Sequence, residues 1–124
     1  MKILFIHNDY AKPSGEEHAA EGLANILTKN GHIVDWYRRS SAEIGKSKQQ
    51  KINAFFSGFY NANSIRQVIE KIQQFKPDVV QVQNLYPLIS PAVLKAIKKT
   101  SVPVVMRCPN YRIFCPNSLF LDNR

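Results

Sequence analysis

Apolar residues recur along this chain with two alternating periods, and the switches between them predict the elements. Ile3, Leu4, Phe5 and Ile6 form an unbroken apolar run, as a strand covered on both faces requires. That run predicts a first strand over Lys2 to His7. A helix then starts at Ser14, where Ser14 and Glu17 match the capping box, each side chain bonding the other residue's backbone amide. Ala19, Leu23, Ile26 and Leu27 recur at helical spacing, with Ala20 and Ala24 beside them, and Asn30-Gly31 supplies a left-handed cap. Ile33 to Tyr37 predicts a second strand. Ile65, Val68, Ile69, Ile72 and Phe75 mark another helix, capped by Ser64 and stopped by Pro77. Val79, Val80 and Val82 place a strand over Asp78 to Gln83. Ser90-Pro91 opens a helix with Val93, Leu94 and Ile97 as its apolar face. Lys95, Lys98 and Lys99 gather near that helix's carboxyl end, where the dipole favours cations. Val102 to Met106 is a fourth strand.

Strand and helix alternate throughout, which predicts an α/β chain: a Rossmann-like, open, mostly parallel sheet with helices on both faces. Ser40 to Asn63 is the ambiguous stretch. Ile52, Phe55, Phe56, Phe59 and Tyr60 recur at helical spacing behind Lys46, Lys48 and Lys51. They read either as a helix over one sheet edge or as an aromatic and basic face for a lipid-linked partner or a membrane surface.

In open α/β sheets ligands sit beyond the carboxyl ends of the strands, next to the point where strand order reverses. Three polar loops should meet at that edge: Asn8 to Gly15, Asn84 to Ile89 and Cys108 to Ser118. His7 stands at the end of the first strand as a ligand contact or base, or as a packed imidazole. The amides of Gly15 and Glu16 open a helix whose positive end can hold phosphate, or Ser14-Gly15 merely caps it. Arg107 and Arg112 flank the last loop, where a guanidinium can clamp phosphate or carboxylate in forked geometry. Tyr111 can stack on a sugar ring or base.

Composition and charge narrow the classes. The chain has 124 residues, 44% hydrophobic and 21% charged, an ordinary globular composition sufficient for one domain. A formal charge of +8 comes from 17 Lys and Arg against 9 Asp and Glu. The basic residues are spread from Lys2 to Arg124 without a nucleic-acid motif, so nucleic acid is not the expected partner. Neither G-x-G-x-x-G nor G-x-x-x-x-G-K-[ST] occurs, which takes most of the support from the dinucleotide-oxidoreductase and P-loop readings. A phospho-receiver needs an acidic cluster near the first strand, yet Asp9 stands alone there and the third strand ends in Gln83-Asn84. Cys108 and Cys115 fit no common zinc spacing, and His18 and His32 form no plausible metal cluster with His7. Reduced thiols, no signal-peptide core and no apolar run of membrane-spanning length point to a cytoplasmic protein. Peripheral contact with the inner face of the membrane stays open.

Six blocks carry a resemblance: Lys2 to Asn8, Pro13 to Glu17, Asn30 to Val34, Pro77 to Asn84, Leu88 to Pro91 and Asn110 to Asn117. In this order, across nearly the whole chain, they resemble the amino-terminal domain of family 4 (group 1) GT-B glycosyltransferases. The resemblance implies two Rossmann-like domains facing a cleft, with residues 1–124 belonging to the acceptor side. The donor-binding, carboxyl-terminal domain lies outside these residues, and the abrupt apolar end at Leu119 to Leu121 fits an element cut from its continuation. The implied activity is transfer of a sugar from a nucleoside-diphosphate sugar to a glycan or lipid-linked acceptor with retention, without metal or cofactor, and without turnover by this chain alone. It also implies a donor-phosphate loop at Ser14, Gly15 and Glu16, and cleft contacts from His7, Asn8, Gln83, Asn84, Asn110, Tyr111 and Arg112. Three positions depart from the pattern. Ser14 replaces a usual glycine, Gln81-Val82-Gln83-Asn84 replaces His-x-His-Asn, and Pro109 stands where relatives carry a donor-contacting histidine. The alternative is a non-enzymatic, flavodoxin-like α/β module that binds a small anion or a protein partner.

Overall fold

The computed structural model describes residues 1–10, 14–43 and 60–108. Four strands, β1 (Lys2–Asp9), β2 (Ile33–Ser40), β3 (Val79–Asn84) and β4 (Val104–Met106), form one sheet in the order β2-β1-β3-β4. Every pairing is parallel. The helices are α1 (Gly15–Lys29), α2 (Ala62–Phe75) and α3 (Ala92–Lys98), and a short 3-10 turn at Ser41–Glu43 follows β2. The predicted α/β class and parallel sheet are therefore present. The Ile52 to Phe59 cluster lies outside the described residues.

β1 is central, and its continuous apolar run serves both layers. Ile3 and Phe5 pack with Ala24, Leu23, Leu27, Val34 and Trp36 on the α1 side. Leu4 and Ile6 pack on the other side with Val68 and Ile72 of α2 and Val93 and Ile97 of α3. Leu4, Phe5 and Ile6 are fully buried, each contributing about 1.5–3 kcal/mol relative to exposure. Ala20 and Ala24 are the buried residues of α1, and their small side chains let the helix axis approach the sheet. Phe5 and Trp36 meet with ring centroids 4.7 Å apart at 44°, a tilted arrangement that aromatic quadrupoles favour. Ile26, expected on the inner face of α1, is 60% exposed. The helix packs on Ala20, Leu23, Ala24 and Leu27, and Ile26 falls just beyond that stripe.

Two of the expected caps differ. Asn61, not Ser64, is the N-cap of α2, and its side-chain oxygen accepts from the Ser64 amide at 3.0 Å. Ser64 is buried in the first turn and donates from Oγ to the Leu88 carbonyl at 3.0 Å. Ser90 does not cap α3 through its side chain. Its Oγ accepts from the Asn61 amide at 3.1 Å, and α3 begins without a side-chain cap. Both serines hold the loop after β3 against the start of α2. The strands also run further than the apolar pattern indicates: β1 reaches Asp9 and β2 reaches Ser40, because parallel pairing continues through polar residues to Asp9↔Ser40. β4 is shorter, beginning at Val104. Gly31, at φ +82°, supplies the left-handed turn after α1, as expected. Among the described residues no helix is long and apolar enough to cross a membrane.

Candidate functional site

Parallel pairing puts the carboxyl ends of all four strands on one edge, and strand order reverses between β1 and β3. α1 packs on one face of the sheet there, and α2 and α3 on the other, which is the geometry that leaves a crevice in doubly wound sheets. At this point the β1–β3 register slips, from Ile6↔Val82 to His7↔Asn84. Gln83 is the extra residue. Such bulges end regular pairing and re-aim side chains.

The two asparagines expected to face a ligand are engaged in holding this edge together. Asn8, fully buried, accepts at Oδ1 from the Leu88 amide at 3.1 Å. Its Nδ2 donates to the Asp9 carbonyl at 3.0 Å and to Ser41 Oγ at 2.9 Å. Asn84 donates from Nδ2 to the Asn8 carbonyl at 3.0 Å and to the Tyr86 carbonyl at 3.4 Å, and accepts from the Tyr86 amide at 3.2 Å. Together they join β1, the loop after β3 and the turn after β2.

His7 and Gln83 behave differently. His7 is 1% exposed, yet among the described residues neither ring nitrogen has a hydrogen-bond partner, and neither does Gln83 Nε2. His7 Nε2 lies 3.3 Å from Asp9 Oδ1, close enough for attraction but not aligned for a hydrogen bond. A buried polar group left unpaired costs about 1–3 kcal/mol, so each such atom calls for a ligand, a water or an ion. Burial holds the His7 proton affinity below its ordinary value, and Arg38 adds to this, while Asp9, Glu17 and Glu16 pull the other way. The ring is neutral at pH 7.

Around His7 runs a charged network built on β2 and α1. The Arg38 guanidinium stacks over Trp36, 5.0 Å from its ring centroid. It donates to both Asp9 oxygens at 2.8–3.2 Å and to Glu21 at 3.0 Å. Strand register puts Arg38 opposite His7. Neither Arg38 nor Glu21 stood out as a site residue in the sequence. The available signal was alternation, which sets Asp9 on the same face as His7 and Arg38 on the same face as Trp36.

At the start of α1, Ser14 and Glu17 form the predicted capping box. Ser14 Oγ accepts from the Glu17 amide at 3.4 Å, and Glu17 Oε2 accepts from the Ser14 amide at 3.4 Å. Glu17 Oε1 also accepts from the Tyr10 amide at 2.7 Å, and Glu16 Oε2 accepts from the Tyr10 hydroxyl at 3.1 Å. Two carboxylates therefore already occupy the positive end of the helix. Gly15 is exposed, and a Cβ there would meet nothing within 4 Å, so its backbone stays approachable from outside. Asn110, Tyr111, Arg112 and Pro109 lie outside the described residues. The chain runs toward those residues from the same edge, since the Arg107 amide donates to the Val82 carbonyl at 2.9 Å.

A second concavity, of about 370 Å³, lies between α2 and α3. Tyr60, Ile65, Ile69 and Ala92 line it together with Lys95 and Lys99. No family model and no curated protein matches the chain, so the functional reading rests on its residues and their arrangement.

Proposed function

We propose that the chain is the acceptor-side domain of a retaining GT-B glycosyltransferase, which moves a sugar from a nucleoside-diphosphate sugar to a glycan or lipid-linked acceptor. The observation that carries this reading is the edge where β1 and β3 part. A sheet that reverses its strand order there presents the buried His7 ring and Gln83 Nε2, without hydrogen-bond partners among the described residues, between two loops locked by Asn8 and Asn84. The resemblance of the six sequence blocks supports it from an independent direction, because two of them, Lys2 to Asn8 and Pro77 to Asn84, end on this edge. On this reading the asparagines fix the floor of the cleft and the loop after β4 supplies Asn110, Tyr111 and Arg112. Gly15 leaves room for the donor's phosphates, and the second domain of such enzymes supplies most of the remaining donor contacts. The fold and the site suit a cytoplasmic enzyme meeting its acceptor at the membrane's inner face.

The test is saturation-transfer NMR of the 124-residue chain with lipid-linked and free glycan acceptors, alongside turnover assays with labelled nucleotide-sugars. Acceptor binding that is lost in Gln83→Ala, without turnover by this chain, is the expected result. Failure to bind any glycan would remove the acceptor-side assignment. A flavodoxin-like binding module is the second reading, favoured by the strand order β2-β1-β3-β4, which that fold shares. A yellow purified protein would support it.

A further inference from the structure

We propose that His7, Asp9 and Glu17 bind a first-row divalent transition-metal cation, which ties the end of β1 to the first turn of α1. One donor atom from each of the three residues lies within 4.8 Å of the other two. His7 is the independent observation: its side chain is 1% exposed and faces Asp9 at 3.3 Å, with no hydrogen-bond partner for either nitrogen among the described residues. A neutral imidazole of this kind is a metal ligand with its lone pair unspent.

The two carboxylates keep capacity for an ion. The Tyr10 and Ser14 amides take one lone pair on each Glu17 oxygen, and a carboxylate oxygen has two. Among the described residues Asp9 Oδ2 accepts only from Arg38 Nε, at 3.0 Å, whereas Oδ1 carries the heavier share of the fork. Arg38 opposes a cation, but among the described residues it lies against the carboxylates of Asp9 and Glu21, with Glu17 completing the acidic side of the site. Asp9 and Glu17 favour positive charge at His7, against Arg38 and the cost of burial. One imidazole with two carboxylates suits Mn²⁺, Fe²⁺, Co²⁺ or Zn²⁺ rather than the all-oxygen ions Ca²⁺ and Mg²⁺. The sugar-transfer reading requires no metal, and this site does not rest on it. The cation acts as a clamp, satisfying the buried ring and neutralising the carboxylates at the helix start.

Mn²⁺ is the probe, because it avoids the exposed thiol of Cys108. Titration of the 124-residue chain, followed by the electron paramagnetic resonance signal of free Mn²⁺, should show saturable, stoichiometric binding and a raised melting temperature. Glu17→Gln retains a side chain that can close the capping box and should weaken binding by roughly tenfold or more. Asp9→Asn should do the same, while Glu43→Gln, away from the site, should leave affinity within about twofold. Circular dichroism confirms that each variant is folded. Absence of stoichiometric binding by the wild type at millimolar Mn²⁺ overturns the proposal. So does a folded Glu17→Gln chain that binds as tightly as wild type.

Discussion

His7 marks the residue at which β1 stops serving the core and starts serving the edge. Its position makes protonation a matter of stability. Because burial lowers the ring's proton affinity below the ordinary 6.5, the unfolded chain binds more protons than the folded one as pH falls through that value. Stability therefore rises with pH across this window and declines as the medium is acidified below 6.5 toward the folded value. Denaturation curves recorded with a chelator should show midpoints falling between about pH 7 and pH 5.5, and His7→Asn should flatten that slope. Glu43 acts in a separate window. Its proton affinity is lowered chiefly by hydrogen bonding to Arg39, so its contribution persists above 4.5 and is lost only as pH falls through its lower folded value. The imidazole at the strand end was visible in the sequence as a candidate. The charged network around it was not, because Arg38 meets Asp9 across a strand pairing that spans 29 residues.

Local capping explains why one helix start was legible and two others were not. Ser14 and Glu17 cap α1 through residues three apart, so the letters contain the whole interaction. Ser64 and Ser90 carry the same chemistry, but distant partners claim their hydroxyl groups. Asn61 does the work expected of Ser64 and more: it caps α2, and its Nδ2 donates to the Leu88 carbonyl at 2.8 Å. Asn61→Ala should therefore cost about 2 kcal/mol, the sum of a lost cap and a lost long-range hydrogen bond. Ser14→Ala, which loses one 3.4 Å bond at a more open helix end, should cost about 1 kcal/mol. Urea denaturation of the two variants gives the comparison, and equal losses would count against a second role for Asn61.

Across the whole molecule, the candidate edge brings the end of β1, the turn after β2 and the loop after β3 together, and Asn8 bonds the other two from β1. Asn8→Ala leaves the Leu88 amide without its buried acceptor, at a cost of about 1–3 kcal/mol. Hydrogen exchange should show that amide losing protection before those of β1, and unchanged exchange would mean the loop is held by other contacts. Alternation of strand and helix made the parallel sheet readable in advance. Strand order, the slip at Gln83 and the engagement of both asparagines were not readable, because each depends on which distant segments become neighbours.

The central place of β1 also has a bearing on how the protein comes to be folded. Asn84 reaches back 76 residues to bond Asn8, so the greasiest strand in the chain gets its second neighbour from a segment that emerges only after α1, β2 and α2 during synthesis. Until β3 arrives, one flank of β1 has open amides and carbonyls beside Leu4 and Ile6, the kind of surface on which nascent chains stick to one another. Distant pairing of this sort slows folding and lengthens the exposure of that flank to other chains.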